Sequence, residues 1–166
     1  MVKKFVSSLK TEFKGYNAKK FGMEYTDSND KRVTPYIIHR TSMGCYERTL
    51  ALVLEKFAGA LPMWMAPEQV RVLPIGVEHE EYARSVRERL EAAGIRTEVD
   101  ARNEKIGYKI RQAQLEKVPY MLVVGEKEAA EGKVAVRTRA AVDLGALSVD
   151  EFLLKALEDV RTLKLD

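Results

Sequence analysis

The feature that most constrains the fold is an alternation of strand-like and helix-like segments through the second half of the chain. Residues 70–77 form a buried-strand pattern, and the next segment has apolar residues at helical spacing up to Gly94. The alternation continues, which predicts strands at 70–77, 95–99, 120–124 and 133–139. This order predicts an α/β domain with a mainly parallel sheet flanked by helices on both faces.

The last predicted helix has a start signal of its own. Ser148 is followed three residues later by Glu151, which is the spacing of a capping box. Apolar residues at helical spacing follow these two polar residues. The sequence therefore predicts a C-terminal helix with one apolar face.

The first third of the chain has a different pattern. Residues 1–21 carry six lysines against one acid, Glu12, which predicts a solvated basic segment or a short amphipathic helix. A short strand is predicted at 36–39, and a helix from Tyr46 has an apolar face that ends at Gly59. We therefore expect three parts: a basic segment at 1–21, a strand-helix unit with a packed linker at 22–67, and the α/β domain at 68–166.

Composition excludes several classes of protein. Apolar residues make up 46% of the chain and charged residues 32%, as in globular proteins. The apolar runs are too short for a membrane helix, which needs about 20 residues, so no membrane is expected. The single cysteine, Cys45, cannot form an internal disulfide, and we expect a cytoplasmic protein. A net charge of +3 permits a polyanionic partner without requiring one.

The first candidate site is the strand end and helix start at 39–48. Arg48 points away from the apolar face of its helix and could bind a phosphate, because a guanidinium suits bidentate phosphate contacts. The alternative is an exposed arginine paired with Glu47 or Glu55. His39 is a candidate metal ligand, and its alternative is an ordinary hydrogen-bonded histidine.

The second candidate site is the segment 100–111, which joins a strand to the following helix at an edge where α/β sheets bind ligands. Asn103 and Arg111 could bind base edges. Three basic residues could contact phosphates, namely Arg102, Lys105 and Lys109. The alternative is a charged helix start whose side chains are only solvated.

The third candidate site combines a turn with a strand. Glu128 lies in the turn, and alternation along the strand places Arg137 and Arg139 on one face. A carboxylate that accepts from an amine and an arginine that donates to carbonyls can read unpaired bases, with Arg139 on a phosphate. The alternative is a strand edge protected by charge.

Together these segments resemble the threonyl-tRNA synthetase family of class II synthetases. Residues 36–48 resemble its third signature motif, 58–70 its passage from catalytic core to anticodon domain, and 119–128, 136–139 and 143–145 continue the match. The resemblance covers roughly 21–166, while 1–20 do not resemble the family. It implies a three-layer anticodon-binding domain with a mainly parallel mixed sheet, preceded by a strand-helix remnant of a class II catalytic core.

The resemblance also implies roles for single residues. Four residues fall where the family contacts anticodon bases, which implies threonine tRNA as the partner: Asn103, Arg111, Glu128 and Arg137. Arg48 matches the arginine that holds the ATP γ-phosphate. His39 matches one of three zinc ligands, and the other two would lie upstream and are not in this chain. ATP and zinc are therefore expected in the full-length family enzyme, and no cofactor is expected for this chain alone.

Three hypotheses about function follow. The first is a module that binds the threonine tRNA anticodon and does not aminoacylate on its own. The second is one half of a split synthetase, which works with a separate catalytic-core polypeptide, with a homodimer also possible. The third is an interaction module that has lost tRNA binding, which the joint presence of the four anticodon residues disfavours.

Overall fold

The computed structural model describes residues 10–41 and 45–165, and the chain divides into two compact units between Val53 and Leu54. The elements of the first unit are β1 (Lys10–Lys14), α1 (Gly15–Lys20), β2 (Tyr25–Thr26), β3 (Arg32–Val33) and β4 (Ile37–Thr41). β1 pairs antiparallel with β4, and β2 pairs antiparallel with β3. The strand predicted at 36–39 is thus present, and residues 10–20 form a strand and a short helix. The predicted three-part domain division stays a prediction.

The helix predicted from Tyr46 is present as α2 (Tyr46–Phe57). It ends at Gly59, whose φ of +78° lies in the left-handed region and whose N–H donates to Leu54 O at 3.1 Å. This is the usual glycine termination of a helix. In the described part of the chain, no helix is long and apolar enough to cross a membrane.

The second unit contains a five-stranded mixed sheet. Its strands are β5 (Val70–Pro74), β6 (Thr97–Val99), β7 (Tyr120–Val124), β8 (Lys133–Thr138) and β9 (Asp143–Ser148), in the spatial order β6-β5-β7-β8-β9. Its helices are α3 (Glu80–Ala92), α4 (Ile106–Leu115), α5 (Glu126–Glu131) and α6 (Val149–Arg161). β5, β6 and β7 are parallel, whereas β8 and β9 are antiparallel to their neighbours. The predicted α/β class and mixed sheet are confirmed.

The central strands β5 and β7 are buried on both faces, because their residues alternate between two apolar clusters. On one face, Val72 and Leu122 pack with residues of α3 and α6, including the fully buried Phe152. On the other face, Leu73 and Met121 pack beneath α4. The domain therefore has three layers, with two helices on one side of the sheet and α4 on the other.

The C-terminal helix begins as its capping box predicts. Ser148 Oγ accepts a hydrogen bond from the backbone N–H of Glu151 at 3.2 Å. The Glu151 carboxylate accepts in return from the backbone N–H of Ser148 at 2.9 Å. These two bonds satisfy donors that a helix start otherwise leaves without partners.

The segment between α2 and β5 is part of the second unit, and basic side chains of that unit hold it in place. Arg96 donates to the carbonyl of Ala66 through Nε at 3.0 Å and through Nη2 at 2.7 Å. Lys117 donates to the carbonyl of Ala58. Residues 60–67 are therefore packed, as Met63, Trp64 and Met65 suggest, and their role as a linker between domains stays a prediction.

Arg139 takes part in the same anchoring. β8 ends at Thr138, so Arg139 does not continue the alternation of the strand. Its Nη1 donates to the carbonyl of Leu61 at 2.5 Å, and the residue is only partly exposed. The predicted phosphate contact of Arg139 stays a prediction, and a phosphate would share this guanidinium with the carbonyl of Leu61.

Candidate nucleic-acid interface

The carboxyl ends of β5, β6 and β7 lie at one edge of the sheet, where open α/β sheets commonly bind ligands. After β6, residues 100–105 form a loop that leads into α4. Asn103 and Lys105 are exposed in this loop, and their side chains have no hydrogen bond or ion pair among the described residues. Both are available to a ligand at the edge.

Arg111 and Arg137 lie on the side of the sheet that α4 covers. Arg111 is exposed on α4, and within the described ranges its guanidinium has no ion pair. Arg137 in β8 lies opposite Met121, whose side chain packs beneath α4. Directly opposed residues of antiparallel strands share a face, so Arg137 is on the α4 side. Its Nη2 donates to Asp143 at 3.0 Å and leaves other N–H groups for a ligand.

Glu128 lies at the same edge but has an internal partner. It is on α5, which follows β7, and its carboxylate accepts from the backbone N–H of Gly125 at 3.0 Å. A Cβ at Gly125 would lie 2.8 Å from Ile75 Cδ1, so a larger residue here would require the Ile75 side chain to shift. Asn103 therefore lies at the edge formed by the strand ends, and Arg111 and Arg137 lie on the α4 side of the sheet. The carboxylate of Glu128 caps its own helix.

Arg102 is held by a neighbouring carboxylate. Its Nε and Nη2 donate to Asp100 at 2.8 and 2.6 Å, and its backbone N–H donates to the same carboxylate at 3.2 Å. The side-chain hydrogen bond from Arg102 is the main cause that lowers the pKa of Asp100, and the same pair raises the pKa of Arg102. A phosphate would have to compete with Asp100 for this guanidinium.

Lys109 is not on the surface, which corrects its predicted role. The residue is 3% exposed, and its Nζ donates to the carbonyls of Pro74 at 2.9 Å and Asp100 at 3.0 Å. These carbonyls stand at the carboxyl ends of β5 and β6. The predicted phosphate contact of Lys109 is wrong, because its ammonium joins two strand ends inside the domain.

An open groove of about 560 Å³ lies beside β6. Its charged lining residues are Arg71, Glu98, Asp100, Arg102 and Glu116. Arg71 is paired with Glu68 at 2.5 Å and with Glu116 at 2.6 Å, and the hydrogen bond that it donates to Glu68 is the main cause of its raised pKa. Because its carboxylates outnumber its arginines and both arginines are paired, this groove does not suit a phosphate backbone.

Comparison with known proteins decides the family. A family model described as an anticodon binding domain matches residues 69–159, which is more than half of the chain. The chain belongs to the anticodon-binding domain family. The matched residues run from the start of β5 into α6, and they include the edge and the α4 side of the sheet.

Curated relatives of this anticodon-binding domain are threonine–tRNA ligases. The protein from Clostridium botulinum strain Eklund 17B is 54% identical over 145 residues, which are 87% of this chain and 23% of that protein. The protein from Caldanaerobacter subterraneus subsp. tengcongensis is 51% identical over 146 residues, 88% of this chain and 23% of that protein. The chain thus spans about a quarter of the length of these relatives. The resemblance to the threonyl-tRNA synthetase family is confirmed.

A solved structure agrees with this family. The RNA binding domain of threonyl-tRNA synthetase from Cryptosporidium parvum Iowa II matches with a TM-score of 0.72 and 35% sequence identity. The match covers 89% of this chain and 38% of that chain. The three-layer anticodon-binding fold is therefore confirmed.

The candidate residues outside the anticodon-binding domain lie in the first unit. Arg48 is exposed in the first turn of α2, and the described residues provide no ion pair between it and Glu47 or Glu55. The backbone of His39 lies in β4 opposite Glu12, and its side chain is outside the described part. No three potential metal ligands lie together in the described part of the chain. The ATP and zinc roles of Arg48 and His39 stay predictions.

Sequence reasoning gave no role to Tyr108, although a signal was present. Ile106, Ile110 and Ala113 mark the buried face of α4, so an aromatic residue at 108 falls on the other side. Tyr108 is three residues before Arg111 and therefore lies beside it on the helix surface. An aromatic ring next to an arginine on an exposed helix face is a feature of nucleic-acid interfaces.

The ion pair of Asp100 predicts a dependence of stability on pH. An unfolded aspartate titrates near pKa about 3.9, and the lower folded pKa means that the stabilisation is complete above that value. It is lost as the pH falls through the folded pKa. Asp100→Asn should therefore flatten the acid decline of the unfolding free energy below about pH 4, as measured by urea unfolding at stepped pH. If the unfolding free energies of the wild type and D100N fell in parallel below about pH 4, this prediction would be wrong.

Proposed function

We propose that the chain recognises the anticodon loop of threonine tRNA, as the C-terminal part of a threonine–tRNA ligase. The family of residues 69–159 and the identity to threonine–tRNA ligases support this function. The proposed base contacts are Asn103, Arg111, Glu128 and Arg137, and Lys105 is the proposed phosphate contact.

The observation that carries the proposal is the exposed guanidinium of Arg111. Other exposed arginines of the domain are neutralised by carboxylates on their own helices, namely Arg84 by Glu80, Arg87 by Glu91 and Arg161 by Glu158. Among the described residues Arg111 has no such partner. A guanidinium without an internal partner suits the edge of an unpaired base, and Asn103 and Lys105 lie in the loop before the same helix.

Binding of anticodon stem-loops tests this function. The threonine anticodon stem-loop should bind more tightly than loops with unrelated anticodons, by about 1–3 kcal/mol for each contacted base that differs. Fluorescence anisotropy at one fixed salt concentration measures the difference, because non-specific RNA binding changes steeply with salt. Equal affinities for all loops would refute the proposal.

The same preparation tests whether the chain is a binding module or an enzyme. For a binding module we expect no aminoacylation and no threonyl-adenylate from threonine and ATP with the chain alone. Detection of adenylate would overturn this part of the proposal. We propose no cofactor for the chain itself, and ATP and zinc are assigned to the full-length enzyme. A cytoplasmic location is part of the same proposal.

A second candidate function is one half of a split synthetase, and a surface of α2 favours it. Tyr46 is 76% exposed and Leu50 is 56% exposed, and an exposed apolar stripe of this kind favours a partner. That partner would be a polypeptide with the upstream catalytic motifs or a second copy of the chain. Activity that appears only after such a polypeptide is mixed with the chain would favour this function, and sedimentation would detect a homodimer.

A further inference from the structure

Tyr108 is an exposed aromatic residue on the outer side of α4. It is 47% exposed, whereas Ile106 and Ile110 of the same helix turn toward the sheet and pack in the core. Tyr108 is therefore not needed to fill the apolar space beneath α4. Its ring is available to a ligand that approaches from solvent.

The ring is held in place from one side by Arg102. The guanidinium carbon of Arg102 lies 6.0 Å from the centre of the Tyr108 ring, which is within cation–π range. Arg102 is fixed in turn by two hydrogen bonds to the buried Asp100. Asp100 is anchored by its backbone, because its N–H donates to Val72 O at 3.0 Å and its carbonyl accepts from Lys109. The ring is therefore connected to the sheet through Arg102 and Asp100.

The space around the ring is open to a flat ligand. A Cβ built at the adjacent Gly107 would meet no atom within 4 Å, so a nucleotide could approach the backbone closely. Arg111 lies about one helical turn further along α4. Asn103 precedes the helix and is bonded in the chain to Arg102. A base whose edge faces Arg111 and Asn103 could thus stack its flat face on the Tyr108 ring.

We infer that Tyr108 is a stacking platform for one unpaired base of the RNA loop and that Arg102 is the residue that positions it. This inference rests on the proposed function and assigns a further subsite to it. An aromatic ring can stack on any base, so the subsite contributes affinity and the neighbouring polar residues contribute selectivity.

The role of Arg102 differs from the phosphate contact that its charge suggests. Asp100 neutralises the guanidinium, and the exposed fraction of the Arg102 side chain is about half. A neutralised arginine contributes little to the release of counterions on RNA binding, whereas the unpaired Lys105 contributes fully. Arg102 therefore acts through Tyr108 and has little effect on the salt dependence of binding.

Variants of the full chain and the threonine anticodon stem-loop test the subsite. Tyr108→Ala should weaken binding on the order of 10-fold, because stacking on an aromatic ring contributes this much per base. Its salt dependence should be unchanged, whereas Lys105→Ala should lower the salt slope by about 1. Tyr108→Phe should bind like the wild type. Arg102→Ala should weaken binding when it is the only substitution. Added to Tyr108→Ala, it should have little further effect, because the two residues act as one unit.

A fluorescent base reports stacking directly. The stem-loop is prepared with 2-aminopurine at one loop position at a time, and its fluorescence falls when the base stacks on an aromatic ring. One position should be quenched by the wild type and by Tyr108→Phe, and quenched much less by Tyr108→Ala. Because Tyr108 is exposed, the urea midpoint of Tyr108→Ala should equal that of the wild type.

The outcomes separate this inference from the proposed function. If the wild type prefers the threonine loop but Tyr108→Ala binds as tightly and quenches the same position, the stacking subsite is overturned and the proposed function stands. If Tyr108→Phe loses as much affinity as Tyr108→Ala, the hydroxyl binds and stacking is overturned. If the wild type does not distinguish the threonine loop from mismatched loops, the proposed function fails and this inference fails with it.

Discussion

Arg111→Ala is expected to weaken binding of the threonine anticodon stem-loop by about 1–3 kcal/mol and to relax selectivity at one anticodon position. Arg111 is exposed on α4, and the described residues give its guanidinium no internal partner. Its removal should therefore cost no intramolecular ion pair, and the unfolding free energy should stay within about 0.5 kcal/mol of the wild type. Anisotropy titrations with a panel of single-base anticodon variants measure both effects.

A matched control is available on the opposite side of the sheet. Arg84 is also an exposed helical arginine, but it lies on α3 and is paired with Glu80 at 3.2 Å. Arg84→Ala removes the same charge from the other helical layer, so it should change affinity little and selectivity not at all. If Arg84→Ala and Arg111→Ala weaken binding equally for every loop, the effect is one of net charge, and Arg111 does not contact a base.

Most of the fold could be predicted because hydrophobic periodicity and helix boundary signals agree. The run 120–124 is apolar throughout, and the strand has these bounds because both faces of β7 are buried. Gly94 follows the end of α3 with a φ of +84°, which is the helix termination that its position in the pattern predicts. The capping box at Ser148 and Glu151 fixes the start of α6.

In the second unit, the strand β9 and the helix α5 escaped prediction for a physical reason. β9 (Asp143–Ser148) is the outermost strand of the sheet and is largely exposed, so it has no alternation of buried and exposed residues. Its place depends on pairing with β8, and that pairing includes an irregularity beside Val136 that local sequence does not encode. α5 (Glu126–Glu131) has six residues and no buried side chain, so it has no apolar stripe.

The candidate site was predictable in its location and less so in its chemistry. Placement after β6 and β7 follows from parallel topology, which brings the strand ends to one edge. Whether a charged side chain is available to a ligand depends on the internal partners that the fold brings to it. Arg139 reaches a carbonyl of the linker, and Lys109 reaches two strand ends. A lysine three residues after Ile106 falls on the inward face of a helix, and that spacing was the signal against a surface role for Lys109.

Lys109→Met is expected to lower the free energy of unfolding by about 2–5 kcal/mol, although methionine has a similar length. The ammonium donates to Pro74 O and Asp100 O, and hydrogen bonds to charged groups contribute about 1.5–3 kcal/mol each. The substitution would leave both buried carbonyls without this donor. Urea unfolding with an unchanged m-value should report the loss as a lower midpoint.

Lys105→Met is the matched control, because Lys105 is four residues earlier and exposed. Its unfolding free energy should stay within about 0.5 kcal/mol of the wild type. For the salt dependence of RNA binding, we expect the opposite order of the two variants. Lys105→Met should lower the salt slope by about 1 because it removes a phosphate contact, whereas Lys109→Met should leave the slope unchanged under conditions in which it is folded.

The loop that carries Asn103 connects these two effects. Lys109 holds the carbonyl of Asp100, the residue from which this loop starts, so loss of the ammonium should release the loop as well as destabilise the sheet edge. The folded fraction of Lys109→Met should therefore bind the threonine loop less selectively, with the salt slope of the wild type. A Lys109→Met protein as stable as the wild type, or one with a reduced salt slope, would mean that the ammonium is exposed to solvent and to phosphate. The strand ends would then be held together without it.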